Sequence, residues 1–451
     1  MIGAIGLIAG LALLIVLTVR GLNILVAAPV CAALVAATSG LAWLPPLAAE
    51  GAPDFATAYM GGFTGFFADW FLMFLLGAIF GEVMSRTGAA EAVARWIIDT
   101  FGIKHALLAV VAACAILTYG GVSVFIVAFS VYPMAVSMFR RADLPRRFLP
   151  AAIAFGSVTF TMTSAGSPEI QNLIPIQYLG TKATAAWEVS LVVAVLMATS
   201  GFYWLRWMVS RAVARGEGFD SRPDDRGDRD MTFAPGPLAS LLPLVAVLGV
   251  FLLTQYPGVL PGLSVLFTEN GLGKWGLVVA LGSGVIVAAL VGRRHGAQLP
   301  AAVSAGATGA VIAIVNTCAV VGFGSIAKLS PAFLAVLDML EDLPGDPLVG
   351  AAIAVTIIAG LTGSASGGQT IALPLIADPY LDAGAKADEL HRVVAISSGA
   401  IDSLPHNGYV VTTIRAICGE THQSAYAPLG ALTVVVPLVG LVVAIALFVV
   451  F

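Results

Sequence analysis

Apolar positions in this chain run on in long blocks instead of alternating with polar ones. Stretches of about 20 residues, enough to cross a ~30 Å hydrocarbon core as helix, recur from Ile2 to Phe451. They predict spans near 2–19, 23–44, 67–84, 184–208, 237–256, 274–292, 300–321 and 425–451. Two further zones, 104–180 and 347–418, are too long for one helix, and each opens with an apolar stretch whose middle is rich in Gly, Ser and Thr. A re-entrant hairpin at about 104–140 and another at about 347–386 explain these openings, each followed by a helix with a polar break, at about 147–180 and 390–418. The expected fold is an all-α polytopic membrane protein of about ten transmembrane helices, two re-entrant hairpins and two broken helices.

Composition closes off the alternatives. With 59% hydrophobic and 11% charged residues among 451, the chain is not a water-soluble globule. No cation precedes the first apolar run, so a cleavable signal peptide is not expected. Cys31, Cys114, Cys318 and Cys418 are scattered in apolar segments without paired spacing, so neither a disulfide framework nor a metal site is indicated. The net charge of −4 says little as a total, whereas its distribution sets an orientation. With the N-terminus outside, the cytoplasmic loops collect Arg20, Arg86, Arg95, Lys104, Arg140, Arg141, Arg146, Arg147, the arginines from 206 to 229, Arg293, Arg294 and Arg415. The outer side keeps Lys182, Lys274, Lys328, Lys386 and Arg392 among many acids. The positive-inside rule thus favours ten crossings with both termini on the periplasmic side of a bacterial inner membrane. Residues Arg211 to Phe233 mix both charge signs with Gly and Pro and read as a solvated cytoplasmic linker, placed at 210–235 between halves 1–209 and 236–451.

Each half holds five crossings and one hairpin. Five is odd, so the second half must sit upside down relative to the first. The pairing sets Leu117-Thr118-Tyr119-Gly120-Gly121 against Leu361-Thr362-Gly363-Ser364, the break at Thr163–Glu169 against that at Asp402–Gly408, and Gly81 against Gly324 at nearly the same distance before the hairpin tips. Non-helical backbone is tolerated at membrane depth only where it is buried in protein or lines a cavity, so the four breaks are expected to converge. Inverted repeats with midplane breaks are the hallmark of secondary transporters, and free backbone donors at such breaks suit a carboxylate.

The candidate substrate-binding residues follow from that convergence: Thr118, Tyr119, Gly120, Gly121 and Ser123 at the first tip, Ser164, Gly166 and Ser167 in the first break, Thr362, Gly363, Ser364, Ser366, Gly367, Gly368 and Gln369 at the second tip, and Ser403, His406 and Asn407 in the second break. Glycines admit close backbone approach and hydroxyls supply short neutral donors, although small residues also pack helices closely in lipid. Proton coupling is assigned to Glu169, an ionisable residue deep in an apolar zone, and to Asp402 and His406, four residues apart and able to share a proton near neutral pH. His391, His295, His105 and His422 fall at loops or span ends and are expected at the surface. Asp402, Ser403 and His406 include triad residue types, but no nucleophile elbow, HExxH, nucleotide loop or CxxC pair occurs, and the chain is not expected to be an enzyme or to need a cofactor.

The segments Gly77-Ala-Ile-Phe-Gly-Glu-Val-Met-Ser-Arg-Thr-Gly88, Thr118-Tyr-Gly-Gly-Val-Ser-Val-Phe125, Gly322-Phe-Gly-Ser-Ile, Thr362-Gly-Ser-Ala-Ser-Gly-Gly and Ser403-Leu-Pro-His-Asn-Gly408 together resemble the gluconate:proton symporter family of the ion transporter superfamily. The last of them is similar to the 3-hydroxybutyrate permease branch and departs from the sugar-acid branch. The resemblance implies an inner-membrane, proton-coupled importer of a small hydroxylated monocarboxylate, working as an elevator with a homodimer-forming scaffold. A sodium-coupled carboxylate symporter and a channel are the other readings. The partners expected are an organic anion, a coupling proton or sodium ion, and the lipid bilayer, with no role for nucleic acid.

Overall fold

A computed structural model describes residues 2–450 apart from 21, 223–234, 257–271, 273, 332, 334, 336–344 and 406. Among the described residues the chain is helical, and five helices are long and apolar enough to cross a membrane: Phe55–Arg86, Trp187–Val213, Pro237–Thr254, Leu299–Ala327 and His422–Val450. The other expected spans are also helices, Ile2–Val19, Ile24–Ser39 and Lys274–Val291, with shorter bodies. The span expected from 67 begins at Phe55, because Asp54 caps the helix by accepting the Thr57 N–H at 3.0 Å and the weakly apolar first turns continue into it.

A helix–turn–helix pair stands at each of the two positions expected to be hairpins. The first joins Ala106–Tyr119 to Val124–Arg141, and the second joins Pro347–Thr362 to Ala365–Asp382. Each incoming limb ends where a glycine takes a left-handed turn, Gly121 at φ +88° and Gly363 at φ +61°, a conformation that any side chain would strain. The two broken helices follow. The first runs through Leu149–Ala154 and a π-helical turn at Phe155–Thr159, loses its helix, and resumes at Ile174–Leu179. The second runs through Ala387–Ser398, breaks, and resumes at Gly408–Val411 with a π turn at Thr412–Ile417.

Among the described residues the order two helices, one long helix, a helix pair, a broken helix and a closing helix occurs twice, the first copy carrying in addition the helix Ala89–Phe101 before its helix pair. The two long helices touch and run antiparallel. In the two long helices, Gly62 lies against Val321 and Ser325 while Gly306 lies against Ile79, so one ascends as the other descends. Small residues let the two backbones close on each other. Glycines matched by spacing also do matched work. A Cβ on Gly81 would stand 2.6 Å from Ile126 of the first hairpin's outgoing limb, and one on Gly324 would stand 2.1 Å from Ile371 of the second's.

Two segments differ from expectation. Residues 89–101, expected as a charged cytoplasmic loop, form the helix Ala89–Phe101, turned 103° from the hairpin limb that follows. Its charges, Glu91, Arg95 and Asp99, hid a period that buries Ala90, Val93, Ala94 and Ile97. The start of the expected solvated linker is docked instead. Arg147 pairs with both carboxylate oxygens of Glu217 at 2.7 and 3.1 Å, Asp143 accepts the Phe219 N–H at 2.9 Å, and Arg222 reaches the Gly419 carbonyl and Glu420. This strap crosses from the base of the first hairpin to the end of the second broken helix. Positions 223–234 of the linker lie outside the described residues.

Candidate functional site

Irregular backbone at the breaks leaves peptide groups that need partners, and side chains from the same half and from the opposite half supply them. In the first half, the Tyr119 hydroxyl at the hairpin tip donates to the Ala165 carbonyl at 2.5 Å, and Gly121 packs beside Pro168. The Asn172 amide donates to the carbonyls of Ser167 and Ala183 at 3.0 and 2.8 Å. In the second half, the Asn407 amide donates to the Gly363 carbonyl at 3.0 Å, while its side-chain oxygen caps the resumed helix through the Val410 N–H, also at 3.0 Å. Ser364 caps the outgoing limb by accepting the Gly367 N–H at 3.1 Å.

Several contacts join the halves around the breaks. A Cβ on Gly399 would lie 3.1 Å from Thr163, so the breaks abut. Phe125 and Tyr409 pack edge to face with centroids 5.4 Å apart, joining the first tip to the second broken helix. The fully buried Gln369 amide donates to the Gln171 carbonyl and to the Ser398 hydroxyl, both at 2.9 Å. Finally, the fully buried Arg392 donates to the carbonyls of Thr163, Ala183 and Ala185 at 2.5 to 3.4 Å. The tips and breaks thus come together, as a packed knot. The cavity of about 590 Å³ beside it belongs to the first tip and first break, and its walls are largely apolar.

His391 and Arg392 correct the sequence reading. Their neighbours Lys386, Asp388 and Glu389 suggest a solvated face, yet both side chains point inward and are fully buried. His391 bonds the Thr181 hydroxyl through Nδ1 at 2.6 Å and the Asn172 side-chain oxygen through Nε2 at 3.2 Å. Because the Asn172 amide nitrogen is engaged elsewhere, its oxygen must accept, which places a proton on Nε2. The buried periodicity of Ala387–Ser398, with Leu390, Val393, Val394 and Ser397 around these residues, was the available signal. His422 is half-buried rather than free at the surface: Arg415 donates to its Nδ1 at 3.2 Å, and its Nε2 lies 3.1 Å from the Pro405 carbonyl.

Of the proton-coupling candidates, Asp402 is 8% exposed and takes the Ser403 hydroxyl at 3.0 Å and the Ala365 backbone N–H, so it caps the second hairpin's outgoing limb. Glu169 is half-buried at the start of the turn Ile170–Asn172, and among the described residues its carboxylate has no hydrogen bond or ion pair. His406 and the Thr362 side chain lie outside the described residues. Ser123 is half-buried at the turn without a capping bond, Ser164 donates to the Phe160 carbonyl, and Ser366 stands 3.4 Å from Ser364. Gly120 packs on Leu244, Gly166 turns at φ +78° beside Tyr119, Gly368 packs on Ala359, and the Ser403 carbonyl accepts from Tyr426.

Several buried polar atoms have no hydrogen-bond partner among the described residues, Ser157 Oγ, Tyr409 Oη and Thr413 Oγ1 among them, and four fall on the candidate segments. Thr118 Oγ1, Ser167 Oγ, Gln171 Oε1 and Gln369 Oε1 are buried and have no hydrogen-bond partner among the described residues. All four belong to the two tips' hairpins and the first break. A buried polar atom without a partner costs about 1–3 kcal/mol, so each asks for an explanation.

No protein-family model matches the chain. It is 34% identical over 464 residues to the uncharacterized transporter YxjC of Bacillus subtilis (strain 168), covering 95% of each chain. Its fold matches the YdaH transporter of Alcanivorax borkumensis with a TM-score of 0.62 at 16% identity, covering 100% of this chain and 99% of that one. It also matches MtrF of Neisseria gonorrhoeae, described within a class of antimetabolite efflux pumps, with a TM-score of 0.54 at 15% identity over 96% and 94% of the two chains. The latter two speak for the fold.

Proposed function

The chain belongs to the transporter family that includes YxjC of Bacillus subtilis, and is an integral membrane transporter; we propose that it imports a small hydroxylated monocarboxylate by proton symport. The observation that carries the substrate class is that four of the buried atoms without a partner among the described residues fall on the tips and the first break. The hydroxyls of Thr118 and Ser167 can donate to a carboxylate, while the side-chain oxygens of Gln171 and Gln369 can only accept, as from a substrate hydroxyl. A hydroxy acid meets both needs. The resemblance to the gluconate:proton symporter family, through its 3-hydroxybutyrate-like break at Ser403–Gly408, agrees with that chemistry. Sodium coupling is the alternative, and uptake with each gradient imposed separately distinguishes the two.

Glu169 is our choice for the coupling group, since among the described residues its half-buried carboxylate has no bonded partner while Asp402 is committed to a helix end. The antiparallel pairing of the two long helices supports inverted repeats, and the interlocked breaks support their movement as one body, an elevator. An inner-membrane setting with both termini outside and a homodimeric assembly complete the reading. Purified protein in liposomes should accumulate labelled 3-hydroxybutyrate under an inward proton gradient. Glu169→Gln should lose that accumulation yet still exchange labelled for unlabelled substrate. Equal accumulation by the variant would remove Glu169 from the coupling step.

A further inference from the structure

The stretch from Ser167 to Asn172 carries three of the groups assigned above: the Ser167 hydroxyl, the Glu169 carboxylate and the Gln171 side-chain oxygen. One short 3₁₀ turn, Ile170–Asn172, lies within it, so local backbone bonds alone do not fix where those side chains stand. Side chains hold the ends instead. Asn172 closes the stretch on itself, donating to the Ser167 carbonyl at 3.0 Å and to the Ala183 carbonyl at 2.8 Å. The Gln171 carbonyl accepts from Gln369 of the second half at 2.9 Å.

Asn172 performs this closure in one orientation only. Its amide nitrogen has two hydrogens and serves two carbonyls, so its oxygen faces away from them, fully buried, and needs a donor. His391 of the second half is that donor, through Nε2 at 3.2 Å. In the neutral ring, donation at Nε2 leaves Nδ1 as an acceptor, and the Thr181 hydroxyl meets it at 2.6 Å. The hydroxyl therefore sets the tautomer, the ring sets the amide, and the amide sets the Ser167 carbonyl. Without the ring's donor the Asn172 oxygen is stranded, and turning the amide to relieve it withdraws the nitrogen from Ser167.

We propose that His391 is a positioning residue for substrate: acting through Asn172, it holds the Ser167 hydroxyl where a carboxylate oxygen binds. This rests on the carboxylate reading above and deepens it, because the placement of a first-half ligand is assigned to a residue of the second half. Substrate affinity, more than the rate of the transport step, is then what His391 controls.

A double-variant cycle on exchange of labelled 3-hydroxybutyrate in liposomes separates positioning from mere structural support. His391→Leu should raise KM by about three- to tenfold, the worth of one hydrogen bond, with the maximal rate little changed. His391→Gln, whose amide nitrogen stands where Nε2 stood, should recover most of that loss. Ser167→Ala should raise KM by a similar factor. Adding His391→Leu to Ser167→Ala should raise KM no further, although the unfolding temperature in detergent falls in both backgrounds. If His391→Leu does not assemble, Thr181→Val, which frees the ring to carry its proton on Nδ1, takes its place in the same cycle. KM losses that multiply in the double variant overturn the inference and leave His391 a structural residue, with carboxylate transport intact. An unchanged KM in Ser167→Ala removes Ser167 from the carboxylate site and the inference with it. Failure to exchange any carboxylate overturns the functional reading itself.

Discussion

His391 joins two strands of backbone that are far apart in sequence, and its ring accounts for one hydrogen bond at each nitrogen. Replacing it with Leu keeps the bulk but strands the Asn172 oxygen and the Thr181 hydroxyl, at about 1–3 kcal/mol for each group left unsatisfied. The unfolding temperature of His391→Leu in detergent should fall by several degrees, whereas exposed His105, a ring at the surface, should tolerate Ala with no measurable change. Asn407→Ala removes a helix cap and a contact to the second tip together, and should cost about 1–2 kcal/mol by the same measurement. Sequence alone placed Asn407 in the site and His391 outside it. A break rich in Ser, Pro, Asn and Gly advertises itself, while a histidine flanked by Asp388, Glu389 and Arg392 looks wet until the helix periodicity is followed through Leu390, Val393 and Val394.

Among the elements, the hairpins were legible because nothing but a turn explains Gly120-Gly121 or Gly363-Ser364 inside apolar runs, and the helix Ala89–Phe101 was not, because three charges masked its buried stripe. The matched glycines give a direct test of how each hairpin seats. Gly81→Leu or Gly324→Leu drives a side chain into Ile126 or Ile371 and should cost about 1–3 kcal/mol. Shortening the isoleucine to Ala in the same protein should recover part of that loss, which thermal unfolding of the double variants would show. The strap behaves differently because its anchor is a charge pair in water. The Arg147 guanidinium beside Glu217 holds that carboxyl below its usual range. A lowered native pKa gives stability that is present above the unfolded value, about 4.3, and is lost as pH falls through the native one. Proteolysis near Phe219 should therefore be slow at neutral pH and quicken below about pH 4, and Glu217→Gln should be cut readily at both.

For the whole molecule, the question is what moves against what. A Cβ on Gly324 would stand 3.4 Å from the Ile371 Cβ, close to the spacing of a disulfide, so Gly324→Cys with Ile371→Cys should join the second hairpin to the long helix Leu299–Ala327 with little strain. Oxidation should stop uptake and dithiothreitol should restore it. Undiminished uptake by the fully oxidised protein would mean that hairpin and long helix travel together. The interlocking of the breaks also bears on how the protein is made. The Ala185 carbonyl waits for an arginine 207 residues downstream. At about 5–20 residues per second, a nascent first half sits in the bilayer for roughly ten to forty seconds with its break unclamped. That interval is a window for membrane chaperones and quality-control proteases, and an N-terminal half expressed by itself should be degraded unless the second half is supplied alongside it.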